Sequence, residues 1–307
     1  MKNILITGGA GYIGSILTEK LLIKGYNVTI LDNFKWGIIP ILHLINNPKL
    51  EIINGDIRDN KHHKILTKFD SIINLAGIVG YPACDADKWE AYDVNVKSVK
   101  EWTSKISKNQ IFIQASTGSS YGKVEGICTE ETPINPLTIY GSNKAEAEKY
   151  VTDCNGISLR FATLYGISPR LRLDLLVNQI VLSALKDGYY VLYQANFSRT
   201  FLSVQDTALS IVFAIENFTK MRGECYNIGS NDQNFTKLEV ANLIKNYVNY
   251  NLINNEFSKD KDQRDYEVSY KKIADLGFER KFSLEDGINE LIKVCKILQE
   301  KSIFRNF

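Results

Sequence analysis

The amino-acid sequence predicts an α/β fold, a doubly wound parallel sheet joined to a smaller, mainly helical C-terminal domain. Three observations predict it. Short apolar runs alternate with amphipathic stretches through the first half of the chain, as strands do when crossover helices cover both faces of a sheet. A glycine-rich turn, Gly8-Gly9-Ala10-Gly11-Tyr12-Ile13-Gly14, joins the first apolar run to the first amphipathic one. Further along, stretches with helical spacing and loops take over. The 307 residues suffice for a large core and suggest one large or two closely joined domains. The expected spans are 1–165, with 205–230 returning to it, and 166–307.

In order, Ile4–Thr7 reads as a buried strand and Tyr12–Lys24 as a helix with Ile13, Ile16, Leu17 and Leu21 at helical spacing. Asn27–Leu31, Leu50–Asn54, Asp70–Leu75 and Gln110–Ala115 read as the next four strands, with a helical stretch over Asp87–Ser107 before the last. A helix over Tyr140–Asp153 leads into a strand over Gly156–Phe161. Later β-rich segments, among them Phe201–Val204 and Glu224–Ile228, read as returns to the sheet. Lys237–Asn246 and Leu284–Gln299 read as helices, and the charged stretch Lys259–Glu267, by composition alone, as a solvated loop.

Composition narrows the function. Hydrophobic residues make up 44% and charged residues 23% of the chain, ordinary values for a water-soluble globular protein. A net charge of +2 gives no electrostatic argument for nucleic acid or a membrane surface. The five cysteines are odd in number, scattered and free of any CxxC pair, which argues against disulfides and zinc and fits a reducing cytoplasm. The first apolar stretch breaks at once into the glycine turn, unlike a signal peptide. His43, His62 and His63 lack Cys or acidic partners at ligand spacing and read as solvent-facing or loop residues, so no metal is expected.

Gly8, Gly11 and Gly14 lie between an apolar strand and a helix. Side-chain-free positions there let backbone N–H groups and the helix N-terminus approach a diphosphate, the Rossmann-type arrangement for a dinucleotide. Asp32, 18 residues beyond Gly14, ends the second strand, where a carboxylate accepts hydrogen bonds from the adenosine ribose. It also repels a 2′-phosphate, so NAD is favoured over NADP. Tyr140 and Lys144 share a helix face at i, i+4 spacing. A free tyrosine titrates near pH 10, but a neighbouring ammonium favours its phenolate, which can then take a proton from a sugar hydroxyl. Alone, such a pair is an ordinary surface pairing; following a dinucleotide turn, it reads as catalytic. In Gln114-Ala-Ser-Thr-Gly-Ser-Ser-Tyr-Gly122 the hydroxyls stand at a strand's C-terminal end, so Thr117 or a neighbouring serine can hydrogen-bond the reacting group.

With these residues the sequence resembles the extended short-chain dehydrogenase/reductases, the NAD-dependent nucleotide-sugar epimerases, dehydratases and dehydrogenases. The matching segments are the glycine turn, Asp32-Asn33, Gly55-Asp56-Ile57, Asn74-Leu75-Ala76-Gly77, Asn95, the hydroxyl run ending Tyr121-Gly122, Tyr140/Lys144, Leu159-Arg160-Phe161, Arg199–Asp206 and Tyr226-Asn-Ile-Gly229. The resemblance implies that Tyr12, Ile13, Asn33 and Asn95 join the cofactor site, that Asp56 and Ile57 flank the adenine, and that Leu75, Ala76 and Gly77 line the groove. It implies Tyr140 as base, Lys144 on the nicotinamide ribose and Thr117 on the substrate hydroxyl. Arg199 and Arg264 are implied to clamp a substrate diphosphate, making the 259–267 stretch a binding loop. Val79, Ser119, Thr163 and Asn178 are further implied substrate residues, and helices near 87–107 and 140–153 a homodimer contact.

Three departures shape the reading. Gly118-Ser119 stands where 4,6-dehydratases carry an Asp-Glu pair, which removes the acid and base that elimination needs. Thr163 stands where many epimerases have Asn. The loops Val79–Cys84 and Phe161–Asn178 are similar to those of bacterial GDP-heptose enzymes of capsule synthesis, among them a 4-dehydrogenase. The expected activity is therefore hydride abstraction from C4 of a nucleotide-linked sugar, with GDP-heptose 4-dehydrogenation ahead of 4-epimerisation. A 4,6-dehydratase and a catalytically silent NAD(H)-responsive regulator are disfavoured. Cys84 reads as packing or substrate contact, and Trp36 and Tyr81 as loop aromatics near cofactor or substrate, or in the core.

Overall fold

The computed structural model describes residues 2–255 and 265–298. Seven strands form one sheet in the spatial order Cys225–Ile228, Ile157–Phe161, Ile111–Thr117, Ser71–Asn74, Asn3–Thr7, Asn27–Asp32, Leu50–Asn54. Every pairing in it is parallel. The central strands are buried on both faces, with Ile4, Leu5, Ile6, Ile72, Ile73 and Phe112 at 0% exposure, so they read as continuous apolar runs rather than alternations. The order reverses beside the first strand, and ligands of such sheets bind at the carboxyl ends next to that point.

One face of the sheet is covered by the helices Tyr12–Ile23 and Val204–Glu216, whose Ile16, Leu17, Leu21, Ala208, Ile211 and Val212 share an apolar cluster with Ile4, Ile6 and Ile113. On the other, Val94, Val99, Trp102, Ala147 and Val151 pack against Leu5, Ile72 and Phe112. A separate apolar core gathers the helices Leu176–Lys186, Lys237–Lys245 and Leu284–Ile297 around Tyr165, Val177, Ile180, Phe201, Val240 and Leu291.

Three sequence-based assignments are corrected. The strand Ser198–Ser203, which contains most of the Phe201–Val204 segment, does not rejoin the large sheet. It pairs parallel with Thr163–Tyr165 and antiparallel with Asn234–Thr236 in a small sheet of its own. A β-rich composition specifies a strand but not its partner. The stretch 87–107 is a broken helix: Lys88–Tyr92, a π-helical turn Asp93–Lys97, then Ser98–Thr103. His62, expected to face solvent or lie in a loop, is buried at 5% exposure in the 3-10 segment Asn60–Lys68. Among the described residues no helix is long and apolar enough to cross a membrane.

Candidate functional site

The carboxyl ends of the parallel strands open into a cleft of about 550 Å³, lined on one side by the glycine turn and strand ends and on the other by residues of the second core region. The turn is shaped by steric demand. Gly8 has φ +70°, and a Cβ there would stand 2.8 Å from the Ala76 backbone nitrogen; a Cβ on Gly14 would stand 2.2 Å from the Gly8 carbonyl oxygen. Gly11 is the N-cap of the helix Tyr12–Ile23, without a side-chain cap or an acidic residue in the first turn. Such a bare helix end is built to receive an anion. Thr7 Oγ1 donates to Asn74 Oδ1 at 2.5 Å and Asn74 Nδ2 donates to Gln114 Oε1 at 2.8 Å, stitching three adjacent strands together just before Leu75 and Ala76.

Asp32 ends its strand at the cleft, accepting from the backbone N–H of Ala10 at 3.0 Å and of Phe34 at 2.8 Å. Burial outweighs those bonds and raises its carboxyl above the usual range. Asp56 is gripped by Arg58 through the backbone N–H, Nε and Nη2, which holds it below the usual carboxylate range. The Ile57 carbonyl accepts from Trp102 Nε1 at 2.8 Å. Tyr12, Ile13, Asn33, Asp56, Ile57, Leu75, Ala76 and Gly77 all line the cleft with the glycines. Asn95 does not. It sits on the π-helical turn, 1% exposed, with Oδ1 accepting from Ile78 N–H at 3.0 Å and Nδ2 donating to the Ile78 carbonyl at 2.8 Å. It braces the Gly77-Ile78 wall from behind.

Thr117 ends the fifth strand. Its Oγ1 donates to Ser119 Oγ at 2.9 Å and accepts from the Ser119 N–H at 3.1 Å. Tyr140 lies in the first turn of the helix Ile139–Asp153, which Thr138 caps by accepting from Gly141 N–H. One turn on, Lys144 is 3% exposed, and burial pushes its ammonium down to about 8. Thr117, Ser119, Tyr140 and Lys144 share the cleft. A further turn along, Glu148 forms a buried pair with Arg160 (Nη2 to Oε2, 2.7 Å) and accepts from Ser116 Oγ at 2.5 Å, fixing the helix to the strand just before Thr117.

From the small sheet, Thr163 and Arg199 line the other wall, the latter 2% exposed and donating to the Ser198 carbonyl, while Val79 lines the cleft beside Ile78. Asn178 is not on that wall. Its Oδ1 accepts from Gly166 N–H and its Nδ2 donates to the carbonyls of Gly166 and Arg172, so it knots the 166–172 loop from inside the core. Arg264 lies outside the described residues. Trp36 and Tyr81 line the cleft, whereas the Cys84 thiol is wholly buried, pushed up to about 11 by burial and donating to the Ile78 carbonyl, which suits packing. Tyr266, within the stretch read as a binding loop, lines the cleft, whereas the sequence reading missed Arg170, Arg172, Tyr190 and Lys237 in the lining. The Arg170-Leu-Arg172-Leu alternation was the one available signal, and it reads equally as a surface strand. Among the described residues no group of three or more His, Cys, Asp or Glu side chains could hold a metal.

Residues 4–229 match the model of the NAD dependent epimerase/dehydratase family. The chain belongs to this family. It is 28% identical over 312 residues to a putative UDP-glucose 4-epimerase of Methanocaldococcus jannaschii, covering 95% of this chain and 98% of that one. It is 26% identical to the CDP-paratose 2-epimerase of Salmonella typhi, covering 94% and 98%. In fold it resembles the UDP-glucuronic acid 4-epimerase of Bacillus cereus, crystallised with UDP-glucuronic acid and NAD, at TM-score 0.82 and 25% identity over 96% of this chain and 99% of that one. As an epimerase/dehydratase family member the protein is an enzyme that uses NAD, and its glycine turn, uncapped helix end and Asp32 fit that cofactor. The narrower likeness to GDP-heptose enzymes is not among these matches.

Proposed function

We propose that the enzyme oxidises C4 of a nucleotide-diphosphate sugar, with Tyr140 as base, Thr117 polarising the C4 hydroxyl and Lys144 holding the nicotinamide ribose. What supports this reading is that Thr117, Tyr140 and a buried Lys144 line the same cleft as the glycine turn. NAD, when bound, supplies the hydride acceptor. The Lys144 ammonium and the helix N-terminus favour negative charge on Tyr140, which takes the proton of the C4 hydroxyl while Thr117 fixes that oxygen. Loss of the proton with the C4 hydride leaves a 4-ketone. Burial keeps water away from Lys144 and strengthens its field. Arg199, buried on the facing wall, is the cation we assign to the substrate diphosphate, together with Arg264.

Elimination of water is disfavoured at Gly118. Glycine there supplies no carboxylate, and a Cβ would stand 3.1 Å from the Tyr266 hydroxyl, so a side chain at this position requires the tyrosine to shift. Two fates of the ketone remain. The loops Val79–Cys84 and Phe161–Asn178, through their likeness to GDP-heptose enzymes, favour release of a 4-keto GDP-heptose; the 4-epimerases among the relatives favour re-reduction from the opposite face. Incubation with GDP-heptose and with UDP-glucose, followed by product NMR, separates them. A C4-inverted sugar without a ketone would overturn the dehydrogenase reading. We also propose a homodimer through the helices Lys88–Tyr92, Ser98–Thr103 and Ile139–Asp153, supported by Trp89, an indole 84% exposed.

A further inference from the structure

Trp36 and Arg170 meet across the cofactor end of the cleft. Trp36 follows Asp32 by four residues, in the loop beyond the second strand, and lines the cleft. Arg170 belongs to the loop after Thr163–Tyr165 and also lines the cleft; its guanidinium carbon stands 4.7 Å from the centre of the Trp36 ring. The exposures are unequal. Arg170 is 5% exposed and Trp36 43% exposed, so the cation is the buried half of the contact.

The loop that carries Arg170 is pinned to the helix that receives the diphosphate. Tyr12 Oη donates to the Gly166 carbonyl at 2.8 Å, Ser168 Oγ donates to the Tyr12 carbonyl at 2.7 Å, and Ser15 Oγ lies 3.1 Å from Ser168 Oγ. Asn178 knots the same loop at Gly166 and Arg172. From that anchorage at the start of the first helix, the loop brings Arg170 to the segment just beyond Asp32. The diphosphate and the adenosine ribose of a dinucleotide lie between the helix start and Asp32.

We propose that Trp36 and Arg170 form a clasp over the dinucleotide, with Arg170 placing its charge beside the diphosphate and Trp36 as the movable half, so that the cofactor leaves only when the contact opens. A guanidinium suits both tasks, because it stays charged, stacks on an indole face and is weakly hydrated. The proposal rests on NAD binding in the cleft and not on the identity of the sugar.

The test is the rate of cofactor release. Purified wild-type protein and the variants W36A, R170A, R170K and W36A/R170A are loaded with NADH and chased with excess NAD, and release is followed by the loss of bound-NADH fluorescence. Melting temperatures of the cofactor-free proteins verify that each variant is folded. The clasp predicts release about ten-fold faster in each alanine variant, a double variant no faster than the quicker single one, and an intermediate rate for R170K. Wild-type release from both single variants would overturn it. So would fully multiplicative effects in the double variant, or an R170A effect confined to the KM of the sugar.

Discussion

Lys144 donates from Nζ to the carbonyl oxygen of Ala115 at 3.0 Å, tying the helix that carries Tyr140 to the strand that ends at Thr117. The same carbonyl also accepts from Gln114 Nε2 at 3.0 Å, so it keeps a partner if the lysine is removed. Among the described residues this ammonium is thus held in place by one replaceable hydrogen bond, and its desolvation outweighs the favourable charges of Cys84 and Glu148.

Replacing Lys144 should therefore separate stability from activity. Burial lowers its folded-state value from 10.5 to about 8. Below about pH 8 the folded protein bears the cost of a buried charge, and stability should rise as pH climbs from about 8 to 10.5, where the unfolded chain holds more protons than the folded one. Lys144→Met should stabilise the cofactor-free protein at neutral pH by about 1–3 kcal/mol in urea unfolding and abolish turnover. A destabilised variant would show that the buried ammonium is better solvated than its surroundings imply.

Tyr140→Phe removes only the phenolic oxygen. Turnover should fall by about 10²–10⁴-fold while NAD affinity stays within a few-fold of wild type. A matching loss in Thr117→Val, smaller but in kcat rather than in NAD binding, would follow from its hydrogen bond to the reacting oxygen. Equal loss of cofactor affinity in both would point to a collapsed cleft instead.

Much of this was legible in the sequence because it is local. The glycine turn, Asp32 at the end of its strand, and the i, i+4 pair Tyr140/Lys144 each depend on backbone geometry a few residues long, and all line the cleft. Asn178 and Asn95 were placed among ligand residues by the family resemblance; neither lines the cleft, and their carboxamides satisfy buried backbone groups of distant loops, a demand no local pattern reveals. Phe201–Val204 was read as a return to the large sheet; Phe201–Ser203 instead belong to the small one, whose partner strands lie far away in sequence, and Val204 begins a helix. The Trp36–Arg170 contact joins two loops far apart in sequence, and neither residue announces the other.

The buried pair Glu148–Arg160 should be costly to break from one side. Arg160→Met strands the Glu148 carboxylate among Ser116, Cys225 and apolar neighbours, and should destabilise the protein by about 3–5 kcal/mol. Adding Glu148→Gln should recover a large part of that loss, measured by chemical denaturation.

If the Lys88–Tyr92 and Ile139–Asp153 helices form a dimer contact, Trp89→Asp should shift the protein to monomer in analytical ultracentrifugation without lowering its melting temperature, since the side chain is 84% exposed within the chain. An unchanged mass would place any assembly elsewhere.

The most direct measurement of the central claim uses nucleotide-diphosphate sugars carrying deuterium at C4. With GDP-heptose and UDP-glucose supplied in turn, C4 chemistry predicts a primary isotope effect in a single turnover, read from the near-ultraviolet band of reduced nicotinamide, with deuterium leaving or inverting at C4 of whichever sugar is accepted. Turnover of an accepted sugar with no isotope effect and with C4 deuterium undisturbed would contradict it.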